Sequence, residues 1–376
     1  MKFRELITES RKPIMENADA RIHHLEDMVF FGGSAGARKA LDTLENIARN
    51  PKAITVKWDG SPAVIFGRDA NGEFVLTDKA GFSSKSYDGM TKSATALGNM
   101  LLNRGREAPD DKRKIFVQNM QNVFGVFESA VPADFRGYMW GDLLYYTTPK
   151  VDEGDYVFQP QMVTYRVKTD SDIGKRIARS TAGVVIHMKL DLEGNRSQAD
   201  ASELNEGSLL VMPPVTATQP PKIDPNTFKT AEALLQRSGK GIDKLLDKNT
   251  LSTLKVSDFD KILYTYVNFA TKTGGLDNLA GGFVDWLTGS KVSNAKQERI
   301  KQHIGTDPRA FKDMWDMVSA LQKTKNDVIA QLDSQDADVE AYTNGQRGGE
   351  GYVIGTGDAK LVNRGGFSAA NLNKTK

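Results

Sequence analysis

Between Pro213 and Pro225 the chain carries five prolines, Pro213, Pro214, Pro220, Pro221 and Pro225, set among Thr and Gln. Each proline lacks a backbone N–H and fixes φ, so neither a helix nor a central strand runs through such a stretch. It is a boundary, and the text changes period across it. Before it, β-rich runs alternate with helical ones; after it, from Phe228 to about Glu340, the spacing is helical throughout, as in Ile262, Tyr266 and Phe269 or Phe311, Trp315, Val318 and Leu321. Strand-like text resumes after Gly345, in Tyr352-Val353-Ile354 and Lys360-Leu361-Val362. The division this predicts is an arm over 1–20, a strand-rich part over 21–212, a linker over 213–227, a helical insert over 228–340 and a second strand-rich part over 341–376.

Within the first part, Leu25, Val29, Ala37, Leu41, Leu44 and Ile47 recur at roughly helical spacing around Gly32-Gly33-Ser34, which predicts two helices joined by a glycine turn. Ile54 to Lys57, Ala63 to Phe66 and Glu73 to Leu76 read as strands of antiparallel hairpins, the last after an Asn71-Gly72 turn. Residues 90–128 read as helical, and strands return over 137–146, 155–167 and 183–190. Asp307-Pro308 predicts an N-cap with proline at the first helical position.

Composition excludes several classes. Lys and Arg number 50 against 48 Asp and Glu, a net charge of +2, so any nucleic-acid surface is local. The absence of cysteine rules out disulfide frameworks, Cys-ligated zinc, Fe–S clusters and thiol nucleophiles, and four histidines are too few for a rich metal cage. Apolar runs such as Gly183 to Ile186 fall far short of the roughly 20 residues a membrane span needs, and the N-terminus opens with charges. The expectation is a soluble cytoplasmic protein that does not engage membranes.

The most informative string is Val56-Lys57-Trp58-Asp59-Gly60-Ser61-Pro62. A lysine at a strand end, two residues before Asp-Gly, is how an amine nucleophile is presented in nucleotidyl transfer, a chemistry that requires the amine neutral. An exposed hairpin turn gives the same letters. In Tyr138-Met139-Trp140-Gly141-Asp142-Leu143, Asp142 is a carboxylate inside an aromatic strand, costly to bury without a partner or cation; on an edge strand it would simply face water. Tyr156-Val157-Phe158-Gln159-Pro160, running on to Tyr165, offers aromatic faces to a purine base, although aromatic strand residues more often serve a core. Gly349-Glu350-Gly351 would let backbone approach a ligand, and Lys360 with Arg364 suits phosphate oxygens.

Taken in order, Lys57-x-Asp59-Gly60, Gly141-Asp142-Leu143, the strand from Tyr156 to Tyr165, Glu350-Gly351-Tyr352-Val353 and Lys360 resemble motifs I, III, IIIa, IV and V of the covalent nucleotidyltransferase superfamily of polynucleotide ligases and capping enzymes. The wording Lys-Trp-Asp-Gly-Ser-Pro-Ala-Val, with His24-Leu25-Glu26-Asp27 ahead of it, also resembles ligase-like proteins of large tailed bacteriophages. The resemblance covers roughly residues 20–190 and 345–372.

It implies an α+β fold: a nucleotidyltransferase (ATP-grasp-like ligase) domain of antiparallel sheets with flanking helices, interrupted by the helical insert and without an OB domain. It implies that Lys57 becomes the lysyl-adenylate, that Lys360 touches the α-phosphate, that Val56, Asp59, Gly60, Phe158, Asp142 and Glu350 line the ATP site, and that Asp142 and Glu350 hold Mg²⁺ or Mn²⁺. Pro62 stands where the family usually has Arg, which leaves Arg68, Lys79 and Arg364 as candidate nucleic-acid contacts. Asp142 stands where Glu is commoner. Twelve residues follow Arg364, too few for an OB domain, so the implied reaction is ATP-dependent joining of 5′-phosphate and 3′-hydroxyl ends of RNA. A DNA ligase or guanylyltransferase is the enzymatic alternative; an inactive virion or interaction protein with a ligase-like fold is the other.

Overall fold

The protein is described from a computed structural model, which covers residues 23–376 apart from 86, 105–108, 213–216, 218, 336–337, 356–358 and 375–376. The arm over 1–20, Pro213 and Pro214 lie outside the described residues.

The chain is a mixed α/β protein. In order it forms α1 (Met28–Arg49), β1 (Ile54–Lys57), β2 (Ala63–Arg68), β3 (Phe74–Asp78), α2 (Lys79–Phe82), α3 (Ala94–Leu102), α4 (Asp111–Ala130), β4 (Gly137–Tyr145), β5 (Lys150–Asp152), β6 (Asp155–Phe158), β7 (Val163–Lys168), α5 (Asp172–Ile177), β8 (Ala182–Leu190), β9 (Arg196–Gln198) and β10 (Leu209–Met212). Then come α6 (Pro225–Leu245), α7 (Lys248–Thr253), α8 (Phe259–Thr273), α9 (Leu279–Gly289), α10 (Asn294–Thr306), α11 (Pro308–Asp333), β11 (Val339–Thr343), β12 (Gln346–Arg347), β13 (Gly351–Ile354), β14 (Ala359–Leu361) and α12 (Ala369–Lys374). Among these, no helix is long and apolar enough to cross a membrane.

Packing divides the chain into two units. The first holds residues 57–215 and 336–349, the second 22–56, 216–335 and 350–376.

In the first unit, one sheet has the order β10-β8-β4-β2-β3 with β9 beside β8, and a second has the order β12-β11-β7-β6-β5. The alternation of β2 and β4 turns Val64, Phe66, Met139 and Leu143 to one face, where α3 and α4 cover them. Ser93 and Asp110 start those helices by accepting from Ala96 N and Arg113 N. Phe127 meets Phe66 and Phe124 meets Phe74 edge to face, at 4.9 and 5.2 Å, and each buried ring contributes about 1.5–3 kcal/mol by leaving water. The opposite face carries a smaller apolar cluster that includes Ile65, Val75, Tyr138 and Trp140. The expected antiparallel sheets are corrected in this unit, where β10 runs parallel to β8, because the connection through β9 and a 3-10 turn returns the chain to the same end of the sheet.

The second unit is mostly helix, with one small sheet of order β1-β13-β14. Here packing departs from the expected division, since the helical stretch is not separate from 22–56 and 350–376. The apolar face of α1 shares one core with α6, α8 and α11, and Phe30 lies 5.3 Å from Trp315. Helix ends at Asp333 and strand text already resumes at Val339. The glycine turn in α1 is a kink at Gly33, whose φ of 57° suits glycine and whose Cβ would lie 2.5 Å from Asp243 Oδ1. Asp307 caps α11 from just before Pro308, accepting from Ala310 N.

Candidate functional site

Lys57 is the last residue of β1, and the loop from Trp58 to Pro62 carries the chain into β2. Two hydrogen bonds fasten this loop to β4: Ser61 N donates to Leu143 O at 2.9 Å and Leu143 N to Pro62 O at 3.0 Å. The Ser61–Pro62 peptide is cis. Gly60 lies directly on Asp142; a Cβ there would sit 2.4 Å from Asp142 Cβ and 3.0 Å from Leu143 O. Gly141 is equally constrained, since its Cβ would lie 2.2 Å from Val185 O. Gly60 is thus fixed by the approach of its loop to β4, and Gly141 by the separate approach of β4 to β8.

Asp59 is only 4% exposed. Its Oδ2 accepts from Val163 N at 2.8 Å and from Met162 N, and its own N–H donates to Tyr165 Oη at 2.7 Å. Burial pushes the Asp59 carboxyl above its usual range and the Asp142 charge adds to the rise, while the two backbone donors and the Lys57 ammonium pull against it. The Lys57 and Asp142 charges thus both act on Asp59, and all three residues belong to one unit.

Asp142 sits in β4 opposite Ala63 of β2 and Val185 of β8. Its Oδ2 lies 2.9 Å from His187 Nε2. The β4–β8 ladder pairs Trp140 with Met188 and Gly141 with Ile186, so His187 is an extra residue in β8 without an opposite number. Such a bulge re-aims a side chain, and here its imidazole meets the carboxylate of the neighbouring strand. Among the described residues no three His, Asp or Glu side chains gather as a metal cage. Mg²⁺ commonly takes one or two carboxylates and completes its shell with water and substrate phosphates, and a single carboxylate steadied by an imidazole fits that demand.

The comparisons add a family without a function. The chain matches DUF6267, a family of unknown function, over residues 19–376. It belongs to that family. No curated protein and no solved structure matches it.

Of the remaining residues expected at the site in this DUF6267 chain, several have other roles. Phe158 was expected to stack on a base; it is buried, lying 5.5 Å from the ring of Tyr165 on one side and 5.5 Å from Tyr145 on another, so its faces belong to the core. Trp58 joins the same aromatic group, 4.7 Å from Tyr165. Val56 packs on the core of the second unit. Arg68, expected on nucleic acid, donates to the carbonyls of Pro132, Gly72 and Val131 at 2.8, 3.0 and 3.1 Å, which ties up the guanidinium within its own unit. Arg364 is corrected more sharply. It is 1% exposed and bound to Glu26 and Asp27, out of reach of any phosphate in this structure. Lys79 stays exposed, with its Nζ 5.5 Å from the centre of the Trp140 ring.

Glu350 and Lys360 fall in the second unit, so they are described there by themselves. Glu350 is half-buried just ahead of β13, where Gly351 has a φ of 129° and a Cβ would lie 2.2 Å from Leu361 O. Lys360 is in β14, and its backbone N donates to His23 O at 3.0 Å.

His187 is the site residue that motif reading missed; Tyr165, named at the end of the aromatic strand, instead accepts from Asp59 N. For His187 the available signal was a single polar residue within Val184-Val185-Ile186-His187-Met188, a break in an otherwise apolar strand.

Proposed function

We propose that this protein is a nucleotidyltransferase that adenylylates itself on Lys57 from ATP and then joins a 5′-phosphate to a 3′-hydroxyl end of RNA. The observation that carries the reading is the convergence of Lys57, the caged Asp59 and the Asp142–His187 pair around one glycine turn within one unit. The Lys57 Nζ lone pair attacks the α-phosphorus, an N–P bond forms, the bond to the bridging oxygen of pyrophosphate breaks, and the ammonium proton departs to solvent. AMP then passes to the RNA 5′-phosphate, and the 3′-hydroxyl displaces AMP to close the strand. A bound Mg²⁺ would offset the charge that develops on the phosphates, and Asp142 is the residue in this unit suited to hold it. Asp59, fixed by two backbone donors, presents a rigid acceptor beside the lysine. In this reading the donor is ATP and the compartment the cytoplasm.

A second reading is a ligase-like scaffold without activity. The buried faces of Phe158 and the internal bonds of Arg68 and Arg364 favour it, because three expected ligand contacts serve structure instead.

Intact mass separates the two. After incubation with ATP and Mg²⁺ the mass should rise by one AMP, and the increment should vanish in Lys57→Ala. Trials with GTP and NAD cover the guanylyltransferase and other donors. An unchanged mass with all three leaves the scaffold.

A further inference from the structure

Helices α6 and α11 of the second unit lie side by side, and at one crossing Gly241 brings them so close that its Cβ would be 3.2 Å from Ala310 Cβ. The exposed surface of α6 is divided by charge. On the edge toward α1, Glu232 pairs with Arg38 at 3.4 Å, and Asp243 accepts from Ser34 N and Oγ, both at 2.7 Å. On the other edge Arg237, Lys240 and Lys244 are exposed and, at spacings of three and four, form one stripe. Across the crossing, α11 exposes Arg309 and Lys312 at a spacing of three.

A single carboxylate lies beneath the two arginines. Asp313 is buried, its Oδ2 accepts from Ser238 Oγ at 2.5 Å, and its oxygens lie 3.7 Å from Arg237 Nη2 and 3.9 Å from Arg309 Nε. One carboxylate therefore faces two exposed guanidinium groups at ion-pair distance, longer than a hydrogen bond, and both keep their N–H donors for a ligand. Among the described residues, Lys240 and Lys244 form no ion pair, and Lys312 pairs with Asp316 at 2.7 Å.

We propose that this face is a grip for the phosphate backbone of single-stranded RNA, with Arg237 and Arg309 at its centre and Lys240 and Lys244 extending it. The match is one of charge and spacing: cations in a row along a helix meet successive phosphates, while the acids of the same helix are turned to α1. It rests on the RNA reading above for the identity of the polyanion. Binding is sequence-tolerant and salt-dependent, since phosphate contacts release counterions.

The experiment uses the full chain, a short fluorescein-labelled single-stranded RNA and no ATP, with anisotropy measured over a range of salt. Arg237→Glu with Arg309→Glu should weaken binding about tenfold or more and reduce the slope of log affinity against log salt by about 1.4, at roughly 0.7 per phosphate contact on a single strand. Because glutamates beside Asp313 could disturb folding, Lys240→Glu with Lys244→Glu serves as a second variant, and circular dichroism checks both. Lys301→Glu on α10, whose lysine pairs with Glu298, is the control and should bind as the parent does. The proposal is overturned if both double variants bind like the parent, if the control weakens equally, or if the parent binds anionic vesicles through these residues but not RNA. Adenylylation of Lys57 is read separately by mass and should persist in all these variants, so failure of the grip and failure of the Lys57 chemistry give different results.

Discussion

His187 Nε2 lies 2.9 Å from Asp142 Oδ2, and His187 is the bulged residue of β8, so the pairing depends on one extra residue in a strand. An imidazole held this way fixes the rotamer of a carboxylate and leaves its second oxygen for a cation or phosphate-bound water. If Asp142 serves nucleotidyl transfer, His187 is its positioning residue. His187→Ala should slow formation of Lys57-AMP about ten- to a hundredfold, as loss of a group that orients a metal-binding side chain commonly does, with circular dichroism unchanged. His187→Asn, which keeps an N–H donor, should recover part of the rate. Equal rates in parent and alanine variant would remove His187 from the site.

Gly60→Ala tests the close approach from the other side. The new Cβ would need to enter within 2.4 Å of Asp142 Cβ, so the turn or β4 must shift. We expect a loss of about 1–3 kcal/mol of stability, read by urea denaturation, and a fall in Lys57-AMP larger than that instability explains. A variant with parental stability would show that the turn has slack.

Asp59 separates acceptor from charge. Asp59→Ala leaves two N–H groups, of Met162 and Val163, without their acceptor and should cost about 1–3 kcal/mol. Asp59→Asn keeps an oxygen for them. Because the folded carboxyl titrates above its usual range, chiefly through burial, the folded state binds the proton more tightly than the unfolded chain, and the carboxylate lowers stability as pH rises through that interval. The asparagine variant lacks this loss. Its stability relative to the parent should therefore increase from acid toward neutral pH, and a constant difference across that range would argue against the raised value.

The sequence made some of this legible and hid the rest for definite reasons. Strand ends, caps and the Gly33 kink follow from local chemistry: glycine at positive φ, Asp307 before Pro308, alternation in β2 and β4. The grouping of Lys57, Asp59 and Asp142 came from the order of motifs that resemble those of ligases; the glycines at 60 and 141, which two separate backbone approaches demand, gave no sign by themselves of what they would meet. The unit boundary was not legible. The apolar stripe of α1 specifies that the helix packs on something, but its partners, Pro225–Leu245 of α6 and Pro308–Asp333 of α11, lie far along the chain and share no local pattern with it. Arg364 and Phe158 looked like ligand contacts because charge and aromaticity carry no direction in a sequence. His187 was missed because a bulge is a property of two paired strands, of which either alone reads as regular.

The ion cluster of the second unit gives the last prediction. Glu26, wholly buried, accepts from Lys325 Nζ at 2.7 and 2.9 Å and from Arg364 Nε at 2.7 Å, and Arg364 Nη2 donates to both oxygens of Asp27 at 2.6 Å. Burial works to raise the Glu26 carboxyl, but Lys325 and Arg364 together hold it well below its ordinary 4.5. Removing one partner of such a group leaves an unpaired buried charge, at a cost of about 3–5 kcal/mol, so Arg364→Met should lower the urea midpoint steeply. Glu26→Gln should also be destabilised, and its pH dependence carries a sign. A carboxyl lowered in the folded state contributes stability that is fully present above the unfolded value of 4.5 and is lost as pH falls through the folded value. The gap between parent and Glu26→Gln should thus be widest near neutral pH and narrow as the pH drops below about 4.5. Urea melts at several pH values read this directly; a gap that stays constant into acid would mean that Glu26 is not held as a carboxylate by these two cations.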